Sequence, residues 1–140
     1  MIMITGGLGF FGANLAKLLC DAGARVLLTS NRNLAVPPLL APFVDKNLKI
    51  TPLDITSFEN ISRAIHDFSV KSVVHAAIRS EKGNTPLYQA MHVNITGTIN
   101  VLEAAQRAGV KRVIFISSEA VYQGMTDTTP FKEEEKLFIT

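Results

Sequence analysis

Ile4-Thr5-Gly6-Gly7-Leu8-Gly9-Phe10-Phe11-Gly12 reads as an apolar strand running through a glycine turn into the first turn of a helix. Gly6, Gly9 and Gly12 stand at three-residue spacing, which lets the backbone turn tightly and approach a ligand closely. The helix that follows offers free N–H groups and the positive end of its dipole. Such a junction suits a pyrophosphate, and strand, turn and helix stand here in the order that a dinucleotide needs. An ordinary glycine turn ahead of a helix is the plain alternative, so the rest of the chain decides.

Outward from that turn, strand and helix alternate. Leu15, Leu18, Leu19 and Ala22 recur at helical spacing beside Phe11, and Gly23 supplies a stop. Arg25 to Thr29, Leu48 to Leu53, Ser72 to His75 and Arg112 to Ser117 are short strands of the buried type. Between Asn31 and Lys46, Pro37, Pro38 and Pro42 predict a surface excursion rather than a long helix. Ser57 is placed to cap a helix whose Ile61, Ala64, Ile65 and Phe68 share one face. A long helix is predicted from Pro86 or Leu87 to Ala108, ended by Gly109. Strands apolar on both faces and separated by helices imply an α/β fold with a parallel sheet covered on both sides. Right-handed crossovers favour a doubly wound sheet of order 3-2-1-4-5, whose strand ends near Gly6, Ala77 and Ser117 converge on one crevice. Val113 to Ile116, apolar at successive positions, is expected to be covered on both faces although it ends the sheet.

Composition narrows the class. With 140 residues, 47% of them hydrophobic, one core is expected rather than two domains. The 14 basic and 12 acidic residues are scattered, with no basic stripe interleaved with aromatics, so no nucleic acid partner is expected. No apolar run reaches membrane-spanning length and the first strand begins at Ile2, which predicts a cytoplasmic, soluble protein without membrane contact. Cys20, the single cysteine, stands beside Leu18 and Leu19 and is expected to be a packed thiol; no metal site is expected.

Five segments in one order carry a resemblance: Thr5 to Gly12, Leu53-Asp54-Ile55-Thr56, Val74-His75-Ala76-Ala77, Asn94 to Leu102 and Ser117-Ser118-Glu119-Ala120-Val121-Tyr122. They resemble the N-terminal part of the extended short-chain dehydrogenases/reductases, in particular the NAD(P)-dependent epimerase/dehydratase family, a Rossmann fold. The resemblance implies that Gly6, Gly9, Phe10, Phe11 and Gly12 hold the pyrophosphate end of the cofactor and that Asp54 and Ile55 hold adenine. It further implies that Ala76, Ala77 and Ser117 line the nicotinamide side, that Asn94 supports the site, and that Ser118 is catalytic, at the reacting carbon. Taken singly, Asp54 reads first as a turn cap and His75 as a satisfied, partly buried histidine. Asn94 inside a helix costs propensity, which points to a side-chain task unless it faces solvent.

The second strand ends in Thr29-Ser30-Asn31-Arg32, where NAD-preferring sites carry an acid for the ribose 2′-OH. Ser30, Asn31 and Arg32 are therefore read as adenosine-side contacts, and Arg32 favours NADP over NAD by pairing with a 2′-phosphate. The family's Tyr-x-x-x-Lys pair is missing: His92 stands four residues after Tyr88, and Thr126 four after Tyr122. In the family's layout that pair falls just after Thr140. Residues 1–125 are thus read as the dinucleotide-binding domain and 126–140, with the solvated run Glu133 to Glu135, as a loop leading to a C-terminal part that closes over the substrate. The expectation is the NAD(P)-binding portion of an oxidoreductase acting on a nucleotide sugar or related hydroxy/keto substrate. It is inactive alone and a homodimer at full length. The reading from another class is a noncatalytic dinucleotide-binding sensor or regulatory module.

Overall fold

The computed structural model describes residues 1–32, 34–80 and 85–118. The elements are β1 (Ile2–Thr5), α1 (Phe10–Asp21), β2 (Val26–Ser30), a 3₁₀ helix (Pro38–Phe43), β3 (Leu48–Pro52), α2 (Phe58–Asp67), β4 (Ser72–His75), α3 (Leu87–Met91), a π-helical turn (His92–Thr96), α4 (Gly97–Arg107) and β5 (Arg112–Phe115). The strands form one sheet of order β3-β2-β1-β4-β5, every pair parallel, as the alternation of apolar strands and helices predicts. Thr5 pairs with both Thr29 and His75, so the carboxyl ends of β2, β1 and β4 lie side by side.

Alternation along each strand divides the core in two. Met3, Leu27 and Val73 face α2 and α4, where they bury against Ile61, Ile65 and Val101. Ile4, Leu28 and Val74 face the other way, against Ala13, Ala16 and Cys20 of α1. Cys20 is a buried free thiol, as its leucine neighbours suggest. The proline-rich stretch is more than a surface excursion: Pro38–Phe43 coils into a 3₁₀ helix that seats fully buried Leu40 against the α1 side of the sheet. Ser57 caps α2 by accepting the Asn60 N–H at 3.4 Å.

Two features differ from the sequence reading. The long helix is not one regular α-helix, because a π-helical turn lies between α3 and α4. And β5 is not covered on both faces: Ile114 and Phe115 are 47% and 57% exposed, since among the described residues no helix follows β5 to pack on them.

Candidate functional site

Gly6 leaves β1 with φ +65°, a conformation that a side chain would strain. A Cβ there would lie 2.7 Å from the Ala77 Cα and 3.0 Å from the Ala76 carbonyl, so the turn and the loop after β4 touch backbone to backbone. Gly12 is equally confined, its Cβ position 2.6 Å from the Gly7 Cα. Gly9 is different: its Cβ would meet only the Gly6 carbonyl, at 3.2 Å, and otherwise open space. Gly9 is also the residue that begins α1, with no side chain capping the helix. The first helical bond closes from Ala13 N–H to Gly9 O, which leaves the amides of Phe10, Phe11 and Gly12 ahead of it. No acidic side chain occupies that first turn.

Those amides open on a cavity of about 570 Å³ at the carboxyl ends of the strands, where the chain order reverses about β1. Of the residues singled out in the sequence, Gly6, Gly9, Phe10, Phe11, Gly12, Ser30, Asn31, Arg32, Asp54, Ile55, Ala76 and Ala77 all line it. Phe10 is 91% exposed, an aromatic surface that nothing else among the described residues covers. Asn94, Ser117 and Ser118 do not line the cavity. Asn94 acts one step behind it: its Oδ1 accepts the Arg79 N–H at 2.8 Å and its Nδ2 donates to the Arg79 carbonyl at 3.0 Å. The costly helical asparagine thus has its side-chain task, clamping the loop after β4. Ser117 and Ser118 lie exposed beyond the end of β5. Tyr122, the run Glu133 to Glu135 and the whole of 126–140 fall outside the described residues.

Leu8, Thr29 and Leu53, which lie within the quoted segments, together with Ile78, Arg79 and Val93, complete the lining. Arg79 had a legible signal, a cation four residues beyond the end of an otherwise apolar strand; the rest are apolar or small and carry none. With Arg32, Arg79 gives the cavity two cations, and Asp54 is the one carboxylate among its described lining residues. Burial pushes the Asp54 carboxyl up, but hydrogen bonds from Thr56 and from the Asn31 side chain, with the nearby His92, outweigh it and hold the pKa below the usual carboxylate value. Its Oδ1 accepts both the N–H and the hydroxyl of Thr56, at 2.9 and 2.8 Å, so the turn-capping reading of Asp54 is correct at that oxygen. Asn100 Nδ2 anchors the same loop through the carbonyls of Ile55 and Thr56, at 3.1 and 2.9 Å. Among the described residues no group of three or more His, Cys, Asp or Glu is placed to hold a metal ion. Nor is any described helix long and apolar enough to cross a membrane.

This arrangement, free helix amides over a backbone turn flanked by two guanidinium groups and an aromatic face, accommodates a phosphorylated, ring-bearing ligand. A sequence profile of the NAD dependent epimerase/dehydratase family matches residues 2–138. The chain is 30% identical to the UDP-glucuronate 4-epimerase of Thermodesulfobacterium geofontis, covering 96% of this chain and 44% of that protein. It is 34% identical to a 3 beta-hydroxysteroid dehydrogenase/Delta 5-->4-isomerase of Mycobacterium tuberculosis, over 88% of this chain and 33% of that protein. The crystal structure of the Bordetella bronchiseptica enzyme WbmG in complex with NAD and UDP superposes with a TM-score of 0.81 at 29% identity, covering 98% of this chain and 43% of WbmG. The chain spans less than half the length of each of these relatives.

Proposed function

The chain belongs to the NAD dependent epimerase/dehydratase family, and from that premise we propose that its crevice binds a nicotinamide dinucleotide for an oxidoreductase that works on a hydroxyl-bearing substrate. The observation that carries this reading is Gly9: the one glycine of the turn whose Cβ would meet a single atom, the Gly6 carbonyl, and otherwise face open space, at the uncapped start of α1. When bound, the dinucleotide supplies hydride acceptance and return at a substrate carbon. The chain's own part is to bind and orient it. The turn and the amides of Phe10 and Phe11 take the pyrophosphate, Asp54 and Ile55 the adenine, and Ala76 and Ala77 the nicotinamide side. Asn94 supports the site through Arg79.

At the adenosine end, β2 closes on Ser30-Asn31-Arg32 without a carboxylate, and we assign the cofactor as NADP in preference to NAD. Arg32 is exposed, so its pairing with a 2′-phosphate is worth about 0.5–1 kcal/mol, roughly two- to fivefold in affinity. For the intact protein we propose a nucleotide sugar as substrate, a reading supported by the name of the UDP-glucuronate epimerase and by the UDP, the nucleotide part of such a sugar, held in WbmG. Ser118, near the carboxyl edge of the sheet, is assigned to the reacting oxygen, and a homodimer to the full-length assembly. Calorimetric titration with NAD+ and NADP+ tests the binding step. Saturable binding with NADP+ the tighter is expected, and saturation by neither rejects the proposal.

A further inference from the structure

A directed chain of hydrogen bonds crosses behind the glycine turn, and its protons can be assigned from heavy atoms alone. Thr98 Oγ1 lies 2.6 Å from the Asn94 carbonyl, which can only accept, so the Thr98 hydroxyl proton is spent there. The 3.0 Å contact between Thr98 Oγ1 and His75 Nε2 then takes its proton from the imidazole. A neutral ring carries one N–H, so Nδ1 is an acceptor, and the 2.6 Å bond to Thr5 Oγ1 runs from hydroxyl to ring. Thr5 Oγ1 in turn accepts the Ala77 N–H at 3.3 Å. Every proton has one place.

One end of this chain finishes on the wall of the cleft, and the other finishes one step behind it, on the residue that clamps the wall. One end holds the amide of Ala77, the residue that touches Gly6. The other holds the Asn94 carbonyl, and the Asn94 side chain clamps the backbone of Arg79 on both sides. We propose that His75, as the Nε2–H tautomer, is a positioning residue of the dinucleotide cleft, fixing the backbone of 76–79 against the glycine turn through Thr5 and Thr98. This rests on the dinucleotide reading of the cavity. The ring is 2% exposed and is covered by Thr5 from β1, Thr98 from α4 and Phe115 from β5, whose ring centroid lies 5.7 Å away; none of the three is ionised near neutrality. Burial alone lowers its basicity. Adding a proton at Nδ1 reverses the bond to Thr5 and leaves the Thr5 hydroxyl proton without its acceptor in a fully buried position.

The test combines the imidazole nitrogen–proton correlation spectrum of the ¹⁵N-histidine-labelled chain with parallel NAD+ and NADP+ titrations from about pH 7.5 down through the lowered pKa of His75, NAD+ carrying no 2′-phosphate that titrates in the same range. Expected are an Nε2–H tautomer at neutral pH and an affinity that falls as His75 takes up a proton, with the backbone spectrum still that of the folded chain. Thr98→Val keeps the shape and removes the acceptor of Nε2–H, so it should weaken binding about fivefold or more, and Thr98→Ser should restore it. An Nδ1–H tautomer, or a ring that titrates without any change in affinity, overturns the proposal. The spectrum needs no cofactor. A chain with the Nε2–H ring that saturates with neither dinucleotide would overturn the functional reading, and with it the role of His75, while leaving the bond directions standing. Should Thr98→Val fail to fold, the wild-type spectrum and titrations still decide.

Discussion

Replacing Gly9 by valine and, separately, Gly12 by alanine should divide binding from folding within one turn. At Gly9 the backbone has φ −73° and ψ 169°, extended geometry that valine adopts, and the added Cβ meets only the Gly6 carbonyl at 3.2 Å. Losing glycine at a helix cap costs about 1 kcal/mol or less, a shift of about 4 °C in Tm. On the proposed dinucleotide reading, the same Cβ projects into the space through which a pyrophosphate would reach the first amides of α1. Charge-assisted hydrogen bonds are worth about 1.5–3 kcal/mol each, so blocking one or two weakens dinucleotide binding by roughly 100-fold. At Gly12 the balance reverses, because its Cβ would sit 2.6 Å from the Gly7 Cα, 2.8 Å from the Gly7 carbonyl and 2.9 Å from the Gly6 carbonyl. All three are backbone atoms that cannot swing away, and overpacking of this kind costs about 1–3 kcal/mol. Thermal unfolding and calorimetric titration on the two variants give both quantities. A folded Gly9→Val chain that binds the dinucleotide with wild-type affinity would show that Gly9 does not keep a path open to the pyrophosphate.

Arg32→Ala should reduce NADP+ affinity roughly two- to fivefold and leave NAD+ affinity unchanged, as read by parallel titrations. In the intact protein, Ser118→Ala should lower the chemical rate while leaving cofactor affinity near wild type, which single-turnover kinetics and a binding titration separate. Two windows of pH-dependent stability should appear in thermal denaturation. The His75 pKa lies below the ordinary 6.5, so the unfolded chain takes up its proton first, and stability declines as pH falls from 6.5 to the lower folded value. The Asp54 pKa lies below the ordinary 3.8, so its contribution is intact above 3.8 and is lost as pH falls through the folded value; Asp54→Asn should abolish that second decline.

The parts of the fold set by short-range chemistry were readable from residues. Ser72–His75 falls where its apolar run predicts, and Ser57 caps the helix it precedes. Strand order followed from alternation and handedness, and twelve of the proposed site residues meet in one cavity because that order brings their strand ends together. What escaped depends on contacts between distant segments. The π-helical turn at His92–Thr96 leaves no mark on the apolar spacing, yet Asn94 within it reaches Arg79, fifteen residues earlier. The burial of Leu40 depends on where the 3₁₀ helix lands on the α1 side of the sheet, which its prolines do not specify. The exposure of Ile114 and Phe115 reflects what packs on β5, whereas apolar spacing reports only what could. His75 is the instructive case: the plain reading of a satisfied histidine is correct, although the residue is fully rather than partly buried, and its partners Thr5 and Thr98 are what tie it to the site.

Amide chemical-shift mapping of the ¹⁵N-labelled chain during titration with NADP+ shows whether the crevice over the glycine turn binds a dinucleotide. Saturable shifts concentrated at Gly6 to Gly12, Ser30 to Arg32, Asp54 to Ile55 and Ala76 to Arg79 are predicted, with the amides of Phe10 and Phe11 among the largest. Saturable shifts confined to the opposite ends of the strands, or no saturable shifts at all, would mean that the crevice is not a dinucleotide site.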